Sequence, residues 1–335
     1  MFDCSKEMKN FHDDDVALPT AMQTEMRERR KNGRIRLENG LERDGFKTPS
    51  FHVQGSYAMK TMVQDDNREF DIDDGAYFSL DALTHDGGNE LTPLEAKERV
   101  RNALCQDERL ANPATIHDNC VRQVYPEGYH IDIPVYRIKV SKGADGNGNQ
   151  SYELSTKQGW ESSDAREVTR WFERKLESVG DGEKGEQLRR VVRLTKSFAR
   201  SRDGWTEKTG SGITLTRLVC DEFAKVPARD DESLRKTWQA IETRLANSLA
   251  VVHPVNDKNL AEDGDEKLNF FLGKLTEALG NLEILDTICT RREAREAWDA
   301  VYDTTYFTKQ PTPEKRLSVD EAKADDRNDG GGVYG

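Results

Sequence analysis

Two aspartates set two residues apart, in a run of alternating apolar and acidic side chains, are the first residues here whose spacing could do chemistry. In Glu69-Phe70-Asp71-Ile72-Asp73-Asp74 the alternation reads as a strand, which puts the Asp71 and Asp73 carboxylates on one face. Like charges at that spacing repel unless a cation neutralises them. A pair of divalent ions roughly 3.5–4 Å apart would do so, and would clamp the attacking and leaving oxygens of a phosphoryl transfer. Upstream stands Gly55-Ser56: a glycine lets the backbone approach a phosphate, and a serine can donate from its hydroxyl and its amide. Taken singly, each motif is better read as an acidic turn or an ordinary loop. The run Tyr129-His130-Ile131-Asp132-Ile133-Pro134-Val135-Tyr136 then places one carboxylate inside an apolar strand. A buried carboxylate is costly without a metal or a partner. With Gly-Ser and D-x-D upstream, a third metal ligand accounts for Asp132 better than a chance charge does.

The elements that must position these residues follow from periodicity. A helix is predicted over 17–43, with a thin apolar stripe that must pack across other elements. A strand over 50–54 precedes Gly55-Ser56 and a short helical stretch. The acidic strand runs on to Phe78, and a helix over 94–104 takes its start signal from Thr92 and Pro93. Residues 121–125 and 130–140 read as strands, and 143–149 as a turn. From Ser163 the pattern is helical: Leu188, Val191, Val192, Thr195 and Phe198 share one face, as do Leu234, Trp238, Ile241, Leu245 and Leu249, and Leu268, Phe271, Leu272, Leu275, Leu279 and Leu282. Core packing accounts for these stripes without a cofactor. Residues 256–266 read as an acidic loop, and 318–335 as a polar, Gly-rich tail that cannot bury enough surface to order itself. The expectation is an α+β chain: a mixed first lobe over 1–162 with an N-terminal helix, a helical lobe over 163–310, and a flexible tail over 311–335.

A chain of 335 residues suits two lobes sharing an interface, and 12 Phe, 9 Tyr and 5 Trp can anchor real cores. The net charge of −12 makes it a poor general binder of duplex nucleic acid, for which phosphate neutralisation is the main driving force. It also suits a protein that collects divalent cations. Five scattered cysteines without a C-x-x-C pair argue against a disulfide framework or a zinc ribbon and fit a reducing cytoplasm. No apolar run is long enough to span a membrane, and residues 1–15 hold no signal-peptide core.

Three runs taken together, Gln54-Gly55-Ser56-Tyr57, then Glu69 through Gly75, then His130-Ile131-Asp132-Ile133-Pro134-Val135-Tyr136, resemble the cGAS/DncV-like nucleotidyltransferases (CD-NTases) of bacterial anti-phage signalling, the CBASS systems. The resemblance is strong over the first lobe and weak over the helical one. It implies a polymerase-β-like core joined to a helical second lobe. It also implies that Asp71, Asp73 and Asp132 hold two Mg²⁺ or Mn²⁺ ions, with Asp132 nearest the attacking ribose hydroxyl as a general base. Gln54, Gly55 and Ser56 would bind the donor triphosphate. Asp74 and Gly75 match the family without a catalytic role. On the basic stripe Arg189, Arg193, Lys196 and Arg200, which by itself reads as a solvated face, Lys196 resembles a family lysine that touches the phosphates. Ser211 resembles the serine that begins the next helix near the nucleotide, whereas His253 departs from the family's acid and takes no role.

The leading expectation is synthesis of a cyclic di- or trinucleotide from NTPs, ATP among them, with a downstream effector bound by the product rather than by this chain. One alternative is a template-free transferase acting on RNA or protein; another is a non-catalytic antitoxin or scaffold, whose signature would be loss of a carboxylate. The resemblance further implies that a ubiquitin-transfer-like enzyme could conjugate the chain through Gly335.

Overall fold

The computed structural model describes residues 1–64, 70–107, 112–126, 128–142, 148–180 and 185–311. Glu69, most of the 143–149 turn and the tail, including Gly335, lie outside the described residues. The first lobe holds α2 (Thr20–Arg43), which follows α1 (Ser5–Phe11), then β1 (Ser50–Val53), α3 (Gly55–Met59), β2 (Phe70–Ser79) and α4 (Pro93–Cys105). It continues through β3 (Thr115–Ile116), β4 (Val121–Val124), β5 (Tyr129–Ile133), β6 (Val135–Lys142), β7 (Gly148–Ser155) and β8 (Trp160–Ser162). The eight strands form one mixed sheet.

β2 is the axis of that sheet. β1 pairs with it antiparallel, and β5 and β6 pair with it in parallel. The strand predicted over 130–140 is broken at Pro134, which has no N–H to give to a ladder. Its carbonyl instead accepts from Ala76 N at 2.9 Å, so β5 and β6 keep one register against β2, Phe70 facing Tyr129 and Ala76 facing Val135. α2 and α4 share the core of this sheet through Leu37, Leu41, Val100 and Leu104, with Ile72, Phe78 and Ile131. The helices touch closely: a Cβ on Gly40 would lie 2.1 Å from the Ala103 carbonyl oxygen. Thr92 and Glu95 close a capping box at the start of α4, with Pro93 as its first residue.

The second lobe holds α5 (Ala165–Ser178), α6 (Glu186–Phe198), α7 (Gly212–Glu222), α8 (Asp230–Asn247), β9 (Val251–Val252), β10 (Asn259–Ala261), α9 (Glu266–Asn281), α10 (Arg291–Tyr302) and α11 (Tyr306–Lys309). The stripes on α6, α8 and α9 meet in a single core. Within it the buried Trp238 indole donates to Thr195 Oγ1 at 2.9 Å. The predicted loop over 256–266 contains β10, which pairs with β9.

The N-terminal segment departs from expectation. Its buried residues Cys4, Met8, Phe11 and Val16 belong to the helical lobe's core, while α2 belongs to the sheet's core. Polar contacts fasten it there: Cys4 N donates to Asp231 at 2.9 Å, and Arg295 donates to Glu7 at 2.9 Å. The chain therefore passes between the lobes at residues 17–19 and again at 163–164, and Met59 and Val63, between β1 and β2, also pack into the helical lobe's core. Among the described residues no helix is long and apolar enough to cross a membrane, and all five cysteines are free thiols.

Candidate active site

Three adjacent strands set out the acidic residues. The β4–β5 register puts Arg122 directly opposite Asp132, and the β5–β2 register puts Asp132 beside Asp73. One step along, His130 lies beside Asp71. Alternation along each strand brings all five side chains to one face, as the D-x-D spacing predicted for the two aspartates. That face is the floor of a cleft of about 450 Å³ between the lobes, with Ser56, Asp73 and Asp132 on one side and Lys196, Arg200 and Gly212 on the other.

Electrostatic strain concentrates on Asp73. Burial, then the nearby Asp132 and Asp71 carboxylates, pushes its pKa up to about 7. No hydrogen-bond donor among the described residues reaches its carboxylate. Asp132 is by contrast satisfied: Arg122 donates from Nε to one oxygen and from Nη2 to the other, both at 2.7 Å. That fork outweighs burial, which lowers it, and raises the Arg122 pKa further. Asp71 is the most exposed of the three and lies 3.2 Å from His130 Nδ1 and 3.7 Å from Arg122 Nη2. Burial and then Asp132 push the neighbouring Cys120 thiol up to about 12, so it stays protonated.

These residues have the chemistry to hold divalent cations. Three hard oxygen ligands share a face, and Asp73, which lacks a donor among the described residues, is destabilised when charged. They are not gathered around a single point, however. Among the described residues no group of three or more His, Cys, Asp or Glu side chains is assembled to hold an ion as it stands. Arg122 covers Asp132, and His130 sits beside Asp71.

Gly55 is required where it stands. Its φ is +62°, and a Cβ there would lie 2.1 Å from Asp73 Oδ2. The chain can therefore turn from β1 into α3 directly over the carboxylate, with Gln54 N donating to Asp73 O at 2.8 Å. Ser56 lines the cleft. The Gln54 side chain has other work: its amide donates to Tyr77 OH at 2.9 Å and accepts from Tyr136 OH at 3.2 Å. The two rings stack 4.3 Å apart.

The basic stripe is only partly a solvated face: Arg200 is exposed, but Arg193 and Lys196 turn to the first lobe. Arg193 donates twice to the Lys60 carbonyl, and Lys196 is buried with Nζ donating to Thr61 Oγ1 at 3.0 Å. The stripe thus grips the first lobe just beyond α3. Burial, then Arg200 and Arg193, pulls the Lys196 pKa down to about 7. Ser211 caps α7, its hydroxyl accepting from Thr214 N at 3.3 Å, at the helix start that brings Gly212 to the cleft.

Sequence reasoning left Arg122 unassigned, and gave no role to His130. The signal was present, an arginine and an aspartate on consecutive strands about a tight turn, but only the hairpin register reveals that they face each other. Asp74, given no catalytic role, is buried and bonded by Arg34, whose Nε donates at 2.6 Å. It ties α2 to the sheet.

Residues 49–136, which contain the Gly-Ser pair and all three aspartates, match the family described as cyclic GMP-AMP synthase DncV-like, nucleotidyltransferase domain. The whole chain is similar to solved structures that span both lobes. One is Vibrio cholerae DncV, a cyclic AMP-GMP synthase in complex with nonhydrolyzable GTP: 17% identity, 90% of this chain and 96% of that one covered, TM-score 0.69. A Vibrio cholerae DncV mutant with two aspartates changed to alanine gives 17% identity, the same coverages and a TM-score of 0.70. Escherichia coli CdnC with ATP gives 17% identity, coverages of 90% and 98%, and a TM-score of 0.64. At such identities the likeness shows a common fold.

Proposed function

With residues 49–136 a DncV-like nucleotidyltransferase domain, we propose that the chain joins ribonucleoside triphosphates into a cyclic di- or trinucleotide, ATP being among its substrates. The observation that carries this reading is Asp73: a carboxylate in the floor of an interlobe cleft, without a donor among the described residues, and raised in pKa by burial and then by two neighbouring acids. Such a group favours an incoming cation, and the cleft beside it has room for a triphosphate. Solved structures similar to this chain include one holding a GTP analogue and one holding ATP.

In each transfer a ribose hydroxyl oxygen bonds to the α-phosphorus of a second nucleotide, the α–β anhydride bond breaks, and pyrophosphate leaves. Two Mg²⁺ or Mn²⁺ ions held by Asp71, Asp73 and Asp132 would supply charge neutralisation for the phosphates and acidification of the attacking hydroxyl. The remaining work falls to this chain. Gly55 lets the backbone lie against the phosphates, Ser56 donates to them, and Asp132 is placed to take the hydroxyl proton. Lys196 adds positive charge from the opposite wall, where an arriving triphosphate favours its protonated form. Positioning and charge stabilisation carry most of the rate in such transfers. Repeating the step on a linear intermediate turned over in the same cleft closes the ring.

By the same reading the product is a signal in anti-phage defence that binds a separate effector. The test is to incubate the pure protein with four labelled NTPs and Mg²⁺ or Mn²⁺, treat with phosphatase, and identify products by mass spectrometry. The expected outcome is a phosphatase-resistant ring that contains adenine and disappears in Asp71→Asn, Asp73→Asn and Asp132→Asn. Open-chain products alone, or label entering added RNA, would instead support a template-free transferase.

A further inference from the structure

We propose that Arg122 is a built-in stand-in for the metal: it holds Asp132 in the metal-free protein and must release it before the site can fill. This rests on the reading of Asp71, Asp73 and Asp132 as ion ligands and concerns how that site is regulated. Three observations carry it. First, Arg122 occupies both Asp132 oxygens at once, through Nε and Nη2 at 2.7 Å each, so neither oxygen keeps its full complement of lone pairs for a cation. Second, the same guanidinium reaches Asp71 at 3.7 Å. One positive group thus lies against two of the three ligands, and Asp73 is left without a donor. Third, the arrangement is fixed by the fold, since Arg122 and Asp132 are directly paired across β4 and β5.

A cation that takes Asp132 must open at least part of the fork, because Arg122 would otherwise present like charge to the incoming ion. The guanidinium has somewhere to go: its side chain is already about a quarter exposed, on the side of the sheet that faces the cleft. The ion pair is therefore a competitor internal to the site. It stabilises the carboxylates while the cleft lacks ions and raises the concentration of metal needed to load it. Nucleotide delivered with its metal supplies the extra charge that tips the exchange. Arg122 is on this account a positioning residue that acts through Asp132.

The test is calorimetric titration of Mn²⁺ into the nucleotide-free full chain, comparing wild type with Arg122→Gln and Arg122→Lys. Circular dichroism and melting curves on each variant confirm that it is folded. Gln removes both fork and charge, while Lys keeps the charge but has no planar fork with which to hold both oxygens at once. The expected result is about tenfold or greater tightening of Mn²⁺ binding in Arg122→Gln, the factor that losing one charge-assisted hydrogen bond corresponds to. Arg122→Lys should lie between. Paramagnetic broadening of resonances near Asp132 should begin at correspondingly lower Mn²⁺. Unchanged affinity in Arg122→Gln overturns the proposal, as does tightening in Gln with Lys equal to wild type, which would mean that charge alone matters. Asp73→Asn separates the two levels of inference. If its Mn²⁺ heat equals that of wild type, the ions bind elsewhere and the ligand assignment itself falls. If the heat is lost there while the Arg122 variants match wild type, only the competitor role falls.

Discussion

Replacing Asp73 by asparagine should stabilise the metal-free protein, and by an amount that depends on pH. The folded protein holds Asp73 at about 7 against an ordinary 3.8, a span of about three pH units. At 1.36 kcal/mol per unit, the charged form is disfavoured by about 4 kcal/mol, or about 2–4 allowing for relaxation around the cleft. Because this acid's folded pKa is raised, the penalty is complete above pH 7, is relieved as pH falls from 7 towards 3.8, and is absent below that. Asp73→Asn carries no such charge. In metal-free buffer at pH 8 the variant should therefore melt several degrees higher than wild type, and the gap should shrink to about 1–2 kcal/mol at pH 5. The assay is melting or denaturant unfolding of both proteins in chelator at pH 5, 6, 7 and 8. A gap that does not vary with pH, or a variant less stable than wild type at pH 8, would refute the placement of Asp73 as a strained, partnerless carboxylate. The same experiment with Mn²⁺ should reverse the order at pH 8, since only wild type has the ligand to be stabilised by mass action.

Lys196 should show the opposite pH signature. Its folded value of about 7 lies below the ordinary 10.5, so its penalty is complete below pH 7 and is relieved as pH rises from 7 to 10.5; Lys196→Met should remove that rise in stability, as followed by melting temperature. In activity assays Lys196→Ala should raise the KM for NTPs well beyond the effect of Arg200→Ala, whereas equal small effects would argue against a phosphate contact. Gly55→Ala forces a side chain into a left-handed turn, at about 1–2 kcal/mol, and onto Asp73, so turnover should fall by about 100-fold or more while the protein stays folded; near-normal turnover would show that the turn does not position the carboxylate.

What the sequence made legible was local. The D-x-D spacing, the aspartate in an apolar strand and the helical stripes are periodicities, and periodicity survives into the fold. Pro134 is a partial case: the apolar run reads as one strand, and only its lack of an N–H divides it in two. Pairing across the chain was not legible. Arg122 faces Asp132 because of a hairpin register, and the Gln54 amide turns to Tyr77 and Tyr136 because three strands converge there. The basic stripe on α6 looked like a solvated face because its partner, the Lys60–Thr61 backbone, lies far away in sequence. The N-terminal segment is a different miss. Cys4, Met8 and Phe11 are spaced as a helical face, but the spacing does not say which lobe they bury against.

That segment has a mechanical consequence. Because α1 belongs to one lobe and α2 to the other, the lobes are tied by covalent crossings at residues 17–19 and 163–164, and between these Met59 and Val63 are seated in the helical lobe's core. Lobes held at several points lose the twisting and sliding that a single linker would permit. The wall that carries Lys196 is thereby held in one place over the three aspartates.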